Sequence, residues 1–227
     1  MDISEHRKRA SDHSLGTSHQ SIYQKGLAII KDFAAPEMKF LDYGAGLGRF
    51  AQLIAEAEIF TEIFAVDLMD RPERLREDIH WISSDLNKAV EIQDAMFDVV
   101  ASLEVIEHLE NPRHMFREVF RSLKPGGRAL LSTPNNESFR SLISYWARGH
   151  FVAFTDASYP AHITPVNRKD MERAALEAGF EILGWNFSGD GCVPGVTHLS
   201  WQKITLGLAK GLRYSDNIFL SLKKPSA

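Results

Sequence analysis

Apolar positions along the chain recur with two alternating periods. Short apolar runs bounded by turn residues predict strands at 38–43, 62–67, 79–82, 97–102, 128–132, 180–187 and 217–222. Between them the apolar spacing becomes helical. Residues 18–33 place Ile22, Ile29, Ile30 and Phe33 on one side, and Pro36 ends the segment. Phe50, Leu53, Ile54 and Ala57 do the same within 47–57, and Met115, Phe116, Val119, Phe120 and Leu123 within 112–123. The stretch 167–178 reads as a helix closed by Gly179, and 197–213 as another carrying Trp201, Ile204, Leu208 and Leu212. Pro72 opens a short helix, a weak one follows Asp85-Leu86, and Lys124-Pro125-Gly126-Gly127 reads as a helix stop and tight turn.

Strands alternating with helices predict an α/β fold with right-handed crossovers and a mostly parallel sheet. The last two strands are expected to pair as a hairpin with a helical excursion between them, which makes the final strand antiparallel. The expected organisation is a single domain over 1–227. It has an N-terminal helical cap at 1–37, an aromatic-rich insertion at 136–166 and a helical insertion at 188–216. With 227 residues, 44% apolar and 25% charged, the chain is long enough for one real core and ordinary for a soluble protein. A net charge of -4 argues against a generally basic nucleic-acid binder. The lone Cys192 excludes an internal disulfide, and neither a signal-peptide core nor a bilayer-length apolar run is present, so a cytoplasmic location is expected.

The chemistry begins at a glycine turn after the first strand, Asp42-Tyr43-Gly44-Ala45-Gly46-Leu47-Gly48. Its spacing is G-x-G-x-G. The dinucleotide fingerprint needs G-x-G-x-x-G, and Arg49 stands where its last glycine belongs, which disfavours a pyrophosphate. Asp67 closes the second strand, where a carboxylate accepts hydrogen bonds from ribose hydroxyls. A turn with bare main chain and two acids predicts a nucleoside crevice.

Four blocks, in order, resemble the class I S-adenosylmethionine-dependent methyltransferases. They are residues 41–48, Asp67, Phe97-Asp98-Val99-Val100 leading to Glu104-Val105-Ile106-Glu107-His108-Leu109, and 123–127. The resemblance implies a Rossmann-like seven-stranded sheet with an antiparallel last strand and helices on both faces. It also implies S-adenosyl-L-methionine as cofactor, held by Asp42, Gly44, Gly46, Gly48, Asp67, Asp85, Leu86 and Leu103. Asp42 would meet the amino end, Asp67 the ribose, and Asp85 with Leu86 the adenine. Asp85 serves equally well as a helix N-cap.

The catalytic candidates are His108, Glu107 and His162. Glu104, Glu107 and His108 would share one face of a helix. They resemble the E-x-x-E-H block of methyltransferases that bind a divalent ion, among them the ubiquinone-pathway O-methyltransferases. His162 would be a fourth ligand. A metal-free site is favoured, because relatives with this block and no known metal also exist. Around His162-Ile163-Thr164-Pro165 the chain is similar to methyltransferases of bacterial glycan and lipid-linked biosynthesis, whose insertion aromatics here include Phe139, Tyr145, Trp146 and Tyr159. The expected activity is O-methylation of a small-molecule or glycan/lipid-linked acceptor. The alternatives are a metal-assisted quinone-pathway O-methyltransferase and a non-catalytic S-adenosylmethionine-binding protein. No nucleic-acid partner is expected; membrane-surface contact through 197–213 and a homodimer stay open. The basic arm around Arg7, with His13 and His19 nearby, is either solvated or a lid.

Overall fold

The computed structural model describes Arg7 and residues 16–226. The chain runs through α1 (Gln20–Lys31), β1 (Lys39–Tyr43), α2 (Arg49–Glu56), β2 (Glu62–Asp67), β3 (Ile79–Ser83) and β4 (Phe97–Leu103). A 3₁₀ turn at Ile106–His108 leads to α3 (Pro112–Ser122), β5 (Leu123–Pro134), α4 (Phe139–Arg148), α5 (Arg168–Ala178) and β6 (Glu181–Phe187). The last part holds a small hairpin, β7 (Cys192–Val193) with β8 (Val196–Ser200), then α6 (Trp201–Ile204) and β9 (Asn217–Lys223).

Seven strands form one sheet in the order β3-β2-β1-β4-β5-β9-β6. The first five pair in parallel, and β9 runs antiparallel between β5 and β6. Both faces are covered. Leu41, Tyr43, Val66 and Val100 pack with α3 residues Phe116 and Val119 on one side. Phe40, Ala65, Val99 and Ala101 pack with α1 and α2 residues Ile30, Phe50 and Ile54 on the other. Burial on two sides explains the continuous apolar runs that mark these strands. The order places β1 beside β4, so the chain reverses its direction of growth there. That switch point opens a crevice at the carboxyl ends of the strands, between the loop after β1 and the turn after β4.

Several local expectations need correction. Residues 197–213 do not form one helix. They hold β8, the single turn α6 and a 3₁₀ turn at Leu212–Tyr214, so the 188–216 insertion is a hairpin with short turns. Gly207 and Gly211 have φ of 83° and 85°, a left-handed backbone that ends a helix whatever the side-chain spacing. No helix forms after Pro72 or after Asp85, where the chain only turns. The strand expected at 128 starts at Leu123. Its register jumps from Phe97↔Leu123 to Val99↔Arg128, so the glycine pair is absorbed as a bulge inside β5. The insertion at 136–166 holds α4, whose N-cap Ser138 accepts from the Ser141 amide.

Candidate active site

The loop after β1 is held by main-chain bonds to β2 and to the N-terminal segment. The Gly44 and Ala45 amides both donate to the Val66 carbonyl, at 2.8 and 3.0 Å, and the Leu47 amide donates to the Gly16 carbonyl at 2.9 Å. Gly44 has φ of 88°, and a Cβ there would meet Val105 Cγ2, so this glycine lets the loop after β4 approach. A Cβ on Gly46 would strike the Gly16 carbonyl, so the N-terminal segment crosses the bare main chain at that point. Gly48, expected among the cofactor contacts, has another role: φ is 71° at the N-cap of α2, and its missing Cβ leaves room for Leu75.

The loop, the turn after β4 and the N-terminal segment enclose a cavity of about 360 Å³. Asp42, Asp67, Asp85, Leu86 and Leu103 all line it, as do Glu104, Glu107, His108 and His162. Asp67 is nearly buried; its Oδ2 accepts from the Gly46 amide at 2.7 Å and its Oδ1 from Met69 at 3.0 Å. Burial pushes its pKa up, against the pull of those amides. Asp42 Oδ2 accepts from the Ala51 amide at 3.1 Å. Burial pushes its carboxyl up to about 7, and the Asp67 charge adds to that. This part of the cavity is therefore acidic, and burial makes both carboxyls harder to ionise than usual.

At the other end Asp85 Oδ1 accepts from the Asn87 amide, and Oδ2 lies 2.6 Å from Arg7 Nη1. Burial opposes ionisation of Asp85, but the Asn87 amide and the Arg7 guanidinium outweigh it and hold the carboxyl below its ordinary value. Arg7 also grips Glu110 through Nε and Nη2, at 2.9 and 2.7 Å. Arg7 thus bridges Asp85 and Glu110 beside the cavity that it lines, and His19 also lines that cavity. His13 lies outside the described residues. Nothing in the sequence around Arg7 pairs it with Asp85, 78 positions away; only the fold does.

Glu104, Glu107 and His108 do not share a helix face. Glu104 has φ of 57°, a left-handed backbone at the end of β4, and only Ile106–His108 form a helical turn. Both carboxylate oxygens of Glu104 are occupied: Ser132 Oγ donates to one and Asn217 Nδ2 to the other, each at 2.7 Å. Burial and the Glu107 charge raise its pKa well above the ordinary range. Glu107 is fully buried; Thr133 Oγ1 donates to its Oε2 at 3.1 Å, and Oε1 has no partner among the described residues. Burial raises its pKa to about 8. The Ile163 and Thr164 amides both donate to the Glu107 carbonyl, at 3.0 Å. That pair pins the end of the insertion to the 3₁₀ turn and brings His162 beside His108, with ring centroids 4.8 Å apart. Nδ1 of His108 lies 2.8 Å from the Ala161 carbonyl, and Nδ1 of His162 lies 2.7 Å from the Ala153 carbonyl. A carbonyl only accepts, so each Nδ1 carries the proton and each Nε2 a lone pair. Burial lowers both pKa values, that of His162 to about 4, with its neighbour His108 contributing. Glu107, His108 and His162 each present a ligand atom within 4.8 Å of the others. The four-ligand set expected from sequence therefore reduces to three, with Glu104 committed to Ser132 and Asn217.

S-adenosylmethionine fits this crevice. Two buried acids whose charges oppose each other gain most from a cationic ligand, and the donor carries a sulfonium and an ammonium. The cavity volume lies within the range of small-molecule sites. Residues 19–184 match the protein family described as a methyltransferase domain. The ubiquinone biosynthesis O-methyltransferase of Pseudomonas fluorescens is 24% identical over 176 residues, 74% of this chain and 70% of that protein. A SAM-dependent methyltransferase structure from Archaeoglobus fulgidus superposes with a TM-score of 0.65 at 19% identity, covering 94% of this chain and 97% of the other. Phosphoethanolamine N-methyltransferase 2 of Haemonchus contortus, solved in complex with S-adenosyl-L-methionine, gives 0.62 at 17% identity, covering 89% and 53%. No helix among the described residues is long and apolar enough to cross a membrane. A crevice at the switch point, acids that favour a cation, and a family match over most of the chain converge on one reading: the chain belongs to the class I S-adenosylmethionine-dependent methyltransferases.

Proposed function

We propose that this methyltransferase acts on an oxygen nucleophile of a small-molecule or lipid-linked acceptor, with His108 as the base. The donor supplies an activated methyl group with a neutral leaving group, so the protein mainly aligns the reactants and excludes water. An oxygen nucleophile must also lose its proton. The observation that carries the proposal is His108: an imidazole on the cavity wall whose burial favours the neutral form, held through Nδ1 by the Ala161 carbonyl. In this reading Asp42 and Asp67 hold the two ends of the methionine and ribose parts, and Leu86 and Leu103 form apolar wall. Glu107 and His162 complete the polar corner against which the acceptor is placed. The O-methyltransferase relative supports oxygen. The test is methyl transfer from labelled donor to hydroxylated and amino acceptors. Transfer confined to amines, with full activity in His108→Ala, defeats the reading.

A second reading follows from Glu107: its buried Oε1 has no partner among the described residues, and a carboxylate oxygen of Glu107 lies within 4.8 Å of a ring nitrogen of both His108 and His162. One carboxylate and two imidazoles suit Mn²⁺ or Zn²⁺, with further positions left for the acceptor oxygen. Such an ion would lower the pKa of a bound hydroxyl and replace His108 as the activating group. Loss of activity on chelation, restored by one divalent ion, selects this reading; indifference to chelator selects the metal-free one.

A further inference from the structure

Helix α4 is built inside out. Its buried side chains are Ser141 and Ser144, at 3% and 8% exposure, while Ile143, Tyr145 and Trp146 are 48%, 54% and 88% exposed. Phe139, Leu142, Ile143 and Trp146 stand at i, i+3, i+4 and i+7, one continuous stripe. The stripe begins where the Phe139 ring meets Tyr214 and Trp201, with centroids 5.4 and 6.5 Å away. Beyond that aromatic cluster the same region exposes Ile204, Leu206 and Leu208, the last two at 92% and 86%. Phe139 packs in that cluster and Tyr145 stacks on Phe151, but packing within the protein leaves Ile143, Trp146, Leu206 and Leu208 uncovered.

The exposed charges near the stripe are mainly cationic. Residues 137–156 and 190–216 contain five Arg or Lys and four acids, Glu137, Asp156, Asp190 and Asp216, of which Glu137 is paired with Arg168. Arg140 is paired with Asp216 at 3.1 Å. The other four, Arg148, Lys203, Lys210 and Arg213, are exposed. An apolar stripe carrying an exposed tryptophan, with four exposed cations in the same segments, is the pattern of a surface that lies in an anionic bilayer interface. We propose that α4 and the 199–213 segment form a docking face for anionic phospholipid membrane. Trp146, Leu206 and Leu208 enter the headgroup layer, and Lys203, Lys210 and Arg148 meet lipid phosphates. The insertion that carries α4 also carries His162, which lines the cavity. The proposal does not depend on the acceptor atom, since vesicle binding needs neither donor nor acceptor.

The experiment is co-sedimentation of the full chain with phosphatidylcholine vesicles, with and without phosphatidylglycerol, at low salt and at about 0.1 M salt, where exposed charges are screened beyond about 10 Å. The expected result is binding to the anionic vesicles only, weakened by salt. Lys203→Gln/Lys210→Gln should weaken it about 25-fold, at about fivefold per cation. Trp146→Ser/Leu206→Ser/Leu208→Ser should abolish it. Donor affinity and the thermal midpoint report that both variants remain folded. Absence of wild-type binding to anionic vesicles overturns the proposal, as does wild-type binding by folded variants. A mass doubling in light scattering that the Trp146 variant loses assigns the face to a second copy and overturns it too.

Discussion

Asp42 allows the sharpest test of the donor site. Its carboxyl has an ordinary pKa of 3.8 and is held at about 7 in the folded protein, chiefly by burial and then by the Asp67 charge. A cationic donor stabilises the ionised form, so binding below about pH 7 requires Asp42 to release its proton. With a pKa of about 7 the ionised fraction falls roughly tenfold between pH 8 and pH 6. Donor affinity should therefore fall by about tenfold over that range, or about 1.4 kcal/mol. Calorimetry in buffers of different ionisation enthalpy reads both the affinity and the proton released. Asp42→Asn removes the titration, so its weaker binding should be level across the range. Folding has the matching sign. An acid whose pKa is raised on folding holds its proton more tightly in the folded state. Its contribution is therefore full below 3.8, is lost as pH rises towards about 7, and is constant above that. The loss has a ceiling of about 4 kcal/mol, at about 1.4 kcal/mol for each tenfold change in proton affinity. Asp42→Asn should accordingly raise the thermal midpoint of the free protein above pH 7 while weakening donor binding. A wild-type affinity that is level with pH, or the same slope in Asp42→Asn, would refute the role assigned to this acid.

Three further outcomes are expected. Gly48→Ala forces a side chain into a backbone at φ 71° and against Leu75, so it should cost about 1–3 kcal/mol in denaturant unfolding and leave the donor affinity of the folded fraction unchanged. A selective loss of donor affinity would return Gly48 to the cofactor contacts. His108→Ala loses the bond to Ala161, about 1 kcal/mol of stability, and should slow transfer to oxygen by about 10²–10⁴-fold; wild-type turnover removes the base. Since the His108 pKa is lowered, the wild-type rate should lose this base only below its ordinary 6.5. Arg7→Ala removes the bridge to Asp85 and Glu110 beside the cavity, and stopped-flow release of the donor product should quicken by about tenfold. Unchanged release separates Arg7 from access to the cavity.

Much of this protein was legible in its sequence because the relevant physics is local. The apolar runs that become β1, β2 and β4 must be buried on both faces, and the glycines at 44, 46 and 48 mark left-handed backbone wherever they fall. Together with Asp42 and Asp67 they imply a nucleoside crevice before any coordinate is known. The glycines' separate tasks were not legible. Gly44 yields to Val105, Gly46 to Gly16 and Gly48 to Leu75, partners from three different parts of the chain. Helical spacing also misled at 197–213, where Gly207 and Gly211 override the apolar period, and at Glu104, whose left-handed φ takes it off the turn that holds Glu107. Only the tertiary structure decided that Arg7 would pair with Asp85, that two amides of the insertion would set His162 beside His108, and that α4 would bury serines and show tryptophan to solvent. Periodicity states which residues share a face; which face turns inward depends on what the closed chain brings against it.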